Sequence, residues 1–160
     1  MLPQITTIET KRKNINVLKN MAKIKFLHGL GDRSQYKSLF KYFNVLDIDW
    51  NKGSLSKLRL GKPDILVGFS LGCDIALMHA EKHKIKTLIL CSMTPGVESL
   101  KKVKADKIIF LIGEKEKWVI KDTRRLLKTV KNRAKIIVIP KAGHKIDKNY
   151  LDKILAQCDI

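Results

Sequence analysis

The fold is decided by the stretch ILVGFSLGCDIALMHAEKH, residues 65–83. It begins as an apolar run, passes through a Gly-x-Ser-x-Gly pentapeptide at residues 68–72, and continues with apolar residues at helical spacing. A serine at such a strand-to-helix turn is typical of a nucleophile elbow, which lifts the hydroxyl above the sheet edge. We expect Gly68 and Gly72 where a side chain would collide with the adjoining strand and helix. Ser70 is therefore the candidate nucleophile, and an ordinary strand-to-helix turn is the alternative.

Short apolar runs recur outward from this stretch and alternate with segments of helical spacing. Nearly continuous apolar runs are typical of strands that are buried on both faces. They lie at residues 24–27, 45–48, 65–67, 87–91, 108–112 and 136–139. Helical spacing is found at residues 36–43, 71–83, 120–130 and 147–158, the last with Asp147 as its N-cap. The alternation predicts an α/β fold, a mostly parallel sheet with helices on both faces. No domain boundary is visible, so we expect one domain over residues 1–160, in which residues 5–8 and 15–18 could add a hairpin.

The chain of 160 residues is strongly basic, with 33 Lys and Arg against 15 Asp and Glu and a net charge of +18. Such a charge raises nucleic acid, an anionic membrane surface or an acidic substrate as partners. Most of the positive charge is lysine scattered along every segment, whereas phosphate recognition favours arginine. Aromatic residues are only 6%, which is few for a base-stacking surface. Composition therefore makes a nucleic-acid partner unlikely and favours a solvated lysine surface.

The cysteines and the N-terminal residues indicate the compartment. Cys73, Cys91 and Cys158 form no Cys-x-x-Cys pair, and an odd number argues against a disulfide framework. Residues 1–20 lack the apolar segment of a signal peptide, and no run reaches transmembrane length. We expect a soluble cytoplasmic protein without a membrane span.

The loop after the first apolar run is a candidate oxyanion site. Ligands bind outside the carboxyl ends of parallel strands, and here the chain reads His28, Gly29, Leu30, Gly31, Asp32. A tight loop of this kind can direct the backbone N–H of Leu30 at a developing oxyanion. The N–H of Leu71, directly after the candidate nucleophile, would supply the second donor. The alternative is a Gly-rich turn that only leads into the next helix.

A histidine and a carboxylate follow later strands. His144 comes after the run 136–139 and is the candidate general base, because an imidazole titrates near neutrality and this one follows the serine in chain order. Four carboxylates compete for the role of acid: Glu98, Glu114, Glu116 and Asp122. We choose Glu116, since it lies three residues beyond the strand end at Gly113 and can turn back toward the imidazole.

Two of the competing carboxylates are less well placed than Glu116. Glu114 comes too early in the turn, and Asp122 falls on the next helix. The alternative for residues 114–117 is a solvated charged loop. Trp118, which follows, would be a wall of the pocket or helix packing.

Together these motifs resemble the α/β-hydrolase superfamily. Residues 28–31 are similar to its oxyanion loop, residues 68–72 to its elbow, and residues 143–144 to its catalytic-histidine loop. The resemblance implies Ser70 as nucleophile, His144 as base, and an acid after a late strand, where relatives commonly carry Asp and this chain offers Glu116. It implies a three-layer fold. The segment between the runs 87–91 and 108–112 is too short for the helical cap of many relatives, so we expect an open site.

The leading hypothesis is a serine hydrolase, carboxylesterase-like, that cleaves small esters or thioesters through an acyl-enzyme on Ser70 with no metal or organic cofactor. The acyl group, the leaving group and the oligomeric state stay open. One alternative is a catalytically silent binding protein on the hydrolase scaffold. Another is a dinucleotide-binding domain, since Gly29 and Gly31 follow a strand and Asp49 follows the next, although Ser34 occupies the third glycine position.

Overall fold

The protein was analysed as a computed structural model that describes residues 23–31, 33–51, 58–129 and 134–159, together with residue 16. The hairpin predicted within residues 1–20 lies outside the described residues, apart from residue 16.

The described chain forms one six-stranded sheet in which every neighbouring pair of strands is parallel. The strand order across the sheet is β2-β1-β3-β4-β5-β6. The strands are β1 (Ile24–Leu27), β2 (Asn44–Leu46), β3 (Ile65–Phe69), β4 (Ile85–Cys91), β5 (Ala105–Gly113) and β6 (Ala134–Ile139). Each corresponds to one of the six apolar runs, and the predicted α/β class is confirmed.

Helices cover both faces of this sheet. They are α1 (Gly72–Lys82), α2 (Val97–Lys102), α3 (Lys117–Leu127) and α4 (Lys148–Gln157), preceded by a 3₁₀ helix at Arg33–Leu39. Helices α1, α2 and α3 bury their apolar sides in one core, and the 3₁₀ helix and α4 do so in a second core across the sheet. Alternate strand residues feed the two cores: Ile108 and Phe110 of β5 enter the first, and Ile109 and Leu111 the second. The architecture therefore has three layers.

The segment predicted as a helix over residues 36–43 is instead a 3₁₀ helix that ends at Leu39. Tyr36 leaves helical geometry, with φ −109° and ψ 21°. Its ring is stacked on His28 with centroids 5.2 Å apart and lies edge-on to Phe69 at 6.3 Å. Aromatic packing under the first strand end thus outweighs the apolar periodicity that predicts a regular α-helix.

The parallel register brings the carboxyl ends of four strands to the same edge. Phe69 pairs with Cys91, and Gly113 pairs with Ile139, so the residues that follow β3, β4, β5 and β6 leave the sheet side by side. Between β4 and β5 the described chain carries only the short helix α2, and no cap domain covers this edge. Over the described ranges, no helix is long and apolar enough to cross a membrane.

Candidate active site

Ser70 lies on a strained turn between β3 and α1. Its φ is +53°, a left-handed conformation that residues other than glycine rarely adopt. The Ser70 N–H donates to the carbonyl of Cys91 over 2.9 Å, which ties the turn to β4. A Cβ at Gly72 would overlap the carbonyl oxygen of Leu27, and one at Gly68 would lie 2.7 Å from the Cα of Cys73. The two glycines therefore occupy positions where the backbones leave no room for a side chain.

The structure brings Ser70, His144 and Glu116 together in one hydrogen-bonded row. Nε2 of His144 lies 3.0 Å from Oγ of Ser70, and Nδ1 lies 2.6 Å from Oε1 of Glu116. A carboxylate only accepts, so Nδ1 carries the proton and Nε2 is free to accept the serine proton. The Glu116 side chain is 8% exposed, whereas that of His144 is 53% exposed. The acid at one end of the row is therefore buried, whereas the imidazole is accessible to solvent.

The three competing carboxylates lie elsewhere. Glu114 accepts from the backbone N–H of Lys141 over 2.9 Å. Glu98 pairs with Lys101 at 3.0 Å on α2. Asp122 lies on α3, 3.9 Å from Arg125.

Glu116 is held in place through its second oxygen. Oε2 accepts from the hydroxyl of Ser92 over 2.6 Å and from the N–H of Gly113 over 2.9 Å. Ser92 follows β4, is 4% exposed and has a φ of +57°, so it too holds a strained turn. Its Oγ also lies 2.8 Å from the hydroxyl of Tyr150, which donates to the carbonyl of Leu111. Desolvation raises the pKa of Tyr150, so the phenol stays a neutral hydrogen-bonding group.

The loop after β1 is anchored through the carbonyl of Gly29. Nδ1 of His28 and Nε1 of Trp50 each donate to that oxygen over 2.7 Å. Nε2 of His28 accepts from the N–H of Ile48, so this buried imidazole is neutral and structural. In a trans peptide the N–H points opposite to the C=O. The two anchors therefore turn the N–H of Leu30 away from the buried side chains.

The two candidate oxyanion donors lie on the site side of the sheet edge. Gly29 packs against Ser70, since a Cβ at Gly29 would be 3.1 Å from that of the serine. Leu71 directly precedes α1, whose N-terminus adds a positive potential. Among the described residues, the N–H groups of Leu30 and Leu71 donate to no protein acceptor. Both amides are thus available to a bound oxygen.

A cavity of about 370 Å³ opens beside Ser70 and His144. Its walls are mostly apolar and come from the first loop, the 3₁₀ helix and the loop before α4. The lining residues are Leu30, Gln35, Tyr36, Ser38, Leu39, Phe69, Lys145 and Ile146. Trp118, proposed from the sequence as a wall, does not line it: the indole lies on the outer side of α3 with 75% of the residue exposed.

Sequence reasoning missed Ser92, Tyr150 and Trp50. Ser92 could have been found, because it is a polar residue directly after an apolar run, like the other site residues. Tyr150 has no such signal, since its place on the apolar side of α4 indicates only core packing. Trp50 could not be found from the sequence, because its role depends on a hydrogen bond to Gly29, which is 21 residues away in the chain. In the part of the chain that the structure describes, His, Cys, Asp and Glu form no group of three that could hold a metal ion.

In fold, the chain is similar to a solved esterase. The crystal structure of esterase PE8 aligns with a TM-score of 0.56 and 15% sequence identity, over 85% of this chain and 90% of that one. At this identity the likeness shows the fold alone: an esterase-like α/β architecture with a parallel sheet between helices. No protein-family model matches the sequence, and a search of curated proteins found no match. The chemistry of the site must therefore be argued from its own residues.

Proposed function

We propose that the protein is a serine hydrolase that cleaves small carboxylic esters or thioesters through an acyl-enzyme on Ser70. The observation that carries the proposal is the row from Ser70 to His144 to Glu116, with heavy-atom distances of 3.0 and 2.6 Å. A serine hydroxyl is a weak nucleophile unless an adjacent base takes its proton. Here the base is within reach and is itself oriented by a third group, which is the arrangement of a catalytic triad.

In the acylation step, Oγ of Ser70 attacks the carbonyl carbon while Nε2 of His144 takes its proton. Glu116 holds the Nδ1 proton and stabilises the imidazolium that forms. The imidazolium then gives its proton to the leaving alcohol or thiol as the C–O or C–S bond breaks. In deacylation, water attacks the acyl carbon while Nε2 of His144 takes its proton. The imidazolium then returns a proton to Oγ of Ser70 as the ester bond breaks and the carboxylic acid is released. Every proton in this cycle moves through His144, so no metal or organic cofactor takes part.

The backbone N–H groups of Leu30 and Leu71 are the proposed donors to the oxyanion of the tetrahedral intermediate. Donors that are already aimed at the developing charge cost no reorganisation during the reaction. His28 and Trp50 hold the Gly29 carbonyl by hydrogen bonds, and this fixes the direction of the Leu30 N–H. The Leu71 N–H is fixed by its position at the N-terminus of α1, where the helix dipole also favours a negative charge.

The cavity favours small substrates. A volume of about 370 Å³ lies at the low end of small-molecule sites and accommodates a short acyl group. The site is uncovered over the described chain, and His144 is half-exposed, so water reaches the acyl-enzyme easily.

The dinucleotide alternative is not favoured by the loop after β1. A dinucleotide fold places the pyrophosphate at the N-terminus of an α-helix directly after the glycines. Here the glycines lead into a 3₁₀ helix that is broken at Tyr36. Asp49 stands where that fold has an acidic ribose ligand, and here it accepts from the N–H of Asn51.

The direct test of the reaction is turnover of a panel of short acyl esters, thioesters and peptide amides by the wild type and by Ser70→Ala. We expect hydrolysis of esters or thioesters and a kcat at least about 10⁴-fold lower in the variant. Circular dichroism confirms that the variant is folded. Full activity in folded Ser70→Ala contradicts the proposal, and binding without any turnover favours the catalytically silent alternative.

A further inference from the structure

We infer that the groove between α3 and the edge strand β6 binds a single-stranded polynucleotide. The groove encloses about 570 Å³ and shares no lining residue with the cavity at Ser70, so the inference does not depend on the proposed hydrolase activity. Its walls carry Lys117, Lys121, Arg124, Arg125 and Lys128.

Among the described residues, most cations of this groove have no ion-pair partner. In the described part of the chain, Lys117, Lys121, Arg124 and Lys128 pair with no carboxylate, and the nearest approach to Arg125 is Asp122 at 3.9 Å. Exposed lysines on other faces do pair: Lys84 with Asp106 at 3.1 Å, and Lys148 with Asp152 at 3.5 Å. Many other described lysines, Lys62, Lys107 and Lys153 among them, also pair with no described carboxylate, so what distinguishes the groove is that five cations line one cavity.

The spacing of these cations along the chain destabilises α3. Lys117 and Lys121 are four residues apart, as are Arg124 and Lys128. Like charges at this spacing destabilise a helix. Glu114, also in the groove wall, accepts from the N–H of Lys141. A bound polyanion would relieve this repulsion.

The groove also holds features that distinguish a polynucleotide from a simple anion. Arg124 and Arg125 are two of the six arginines of the chain, and their guanidinium groups match phosphate oxygens better than lysine does. Trp118 does not line the groove, but it lies on the same helix with 75% of its surface exposed, and Nζ of Lys121, a groove residue, is 5.3 Å from its ring centroid. An exposed indole next to phosphate-binding cations is a platform on which a base can stack.

Shape decides between a polynucleotide and a membrane. Ile120 and Val138 also line the groove, the first buried and the second half-buried. A flat bilayer contacts a convex face and does not reach into a groove, whereas a flexible strand follows one. The low aromatic content of the whole chain argues against an extended stacking surface, whereas one exposed indole next to the groove is sufficient for one stacked base.

The test is fluorescence anisotropy of labelled oligo(dT) and oligo(U) of about 12 nucleotides, titrated over a range of salt concentrations. If all five cations meet phosphates, log K falls with log salt at a slope of about −3.5. In Lys121→Gln/Arg124→Gln we expect a slope of about −2 and a roughly tenfold lower affinity at moderate salt. The matched control Lys84→Gln/Lys148→Gln removes the same charge from other faces and should change affinity less than about twofold.

Trp118→Ala separates stacking from charge. We expect it to lower oligonucleotide affinity by about 5- to 100-fold and to leave the affinity for inorganic polyphosphate unchanged. The inference is overturned by equal losses in the two double variants, by no effect of Trp118→Ala on the oligonucleotide, or by absence of binding at low salt. Binding of phosphatidylglycerol vesicles instead of oligonucleotides also overturns it and assigns the surface to membranes.

Discussion

Ser70 and Ser92 hold the same unusual backbone conformation, with φ values of +53° and +57°. Each such residue costs on the order of 1–3 kcal/mol, and strain of this kind clusters where function requires it. Both serines directly follow a strand, and they contact opposite ends of the same pair: Ser70 meets His144, and Ser92 meets Glu116. Two of the four described non-glycine residues with positive φ are thus the serines that bracket the histidine and the acid; the other two are Lys141 and Asp159.

Glu116→Gln tests the proposed triad acid. The amide keeps the shape of the side chain but removes the charge that stabilises the imidazolium, so we expect kcat to fall by up to about 10⁴-fold. The matched control is Glu114→Gln, which should stay within about twofold of the wild type because its side chain is on the surface. Steady-state ester hydrolysis measures both. The reverse order of effects would transfer the role to Glu114.

Substitution of Ser92 tests whether its hydroxyl positions the acid. Ser92→Ala and Ser92→Gly both remove the donor to Oε2 of Glu116, and a hydrogen bond to a charged group corresponds to about 10- to 100-fold in kcat. Only glycine relieves the positive φ, so the glycine variant should be the more stable of the two in urea. If the variants differ in stability and both keep full kcat, Ser92 has only a structural role.

The site residues differ in how much of the chain is needed to predict them from the sequence. Ser70 follows from local chemistry, because two glycines and a strand-to-helix turn are visible in five residues. Glu116 follows from topology, since its distance from the strand end decides among four carboxylates. Ser92 could have been found from its place after an apolar run, whereas Tyr150 could not be assigned, because its hydrogen bond to Ser92 joins residues that are 58 apart in the chain.

At the scale of elements, the loop after β1 is held by Trp50 from the loop after β2. Trp50→Phe keeps an aromatic ring, although a smaller one, and removes the Nε1–H that donates to the Gly29 carbonyl. We expect kcat for ester hydrolysis to fall about 5- to 10-fold, the usual effect of one lost hydrogen bond. The melting temperature should change little. An unchanged kcat would show that the loop does not need this anchor.

The four inner strands were predictable because they are largely buried on both faces and therefore read as apolar runs, whereas the edge strands β2 and β6 are only partly buried. The 3₁₀ helix was not predictable, since its apolar spacing also fits an α-helix, and its geometry is broken at Tyr36, whose ring stacks on His28 of another segment. The N-cap of α4 was predictable from local chemistry: Asp147 accepts from the N–H of Tyr150 over 2.9 Å.

At the scale of the whole molecule, the three cysteines are free and buried in the two cores. Burial raises the pKa of all three thiols, that of Cys158 from 9.0 to about 12. When the pKa of a thiol is higher in the folded state than in the unfolded state, its contribution to folding stability is fully present below the unfolded-state pKa. The contribution is lost as the pH rises from the unfolded-state pKa to the folded-state pKa. The protein should therefore lose stability in alkaline solution as the unfolded chain ionises first.

Cys158→Ala isolates one of these thiols. Between pH 8 and 10 the free energy of unfolding of the wild type should fall by about 1.4 kcal/mol more than that of the variant, because only the wild type ionises this thiol on unfolding. Urea denaturation under reducing conditions measures the difference. Parallel pH dependences of the two proteins would contradict the burial argument.

The central claim is tested most directly by mapping the adduct of a fluorophosphonate. We predict one adduct per chain, on the peptide that contains Ser70, formed by the folded wild type, absent in Ser70→Ala and strongly slowed in His144→Ala. Peptide mass spectrometry gives the position, and intact mass gives the stoichiometry. A folded wild-type protein that forms no adduct at Ser70, or one that reacts equally fast without His144, would contradict the account.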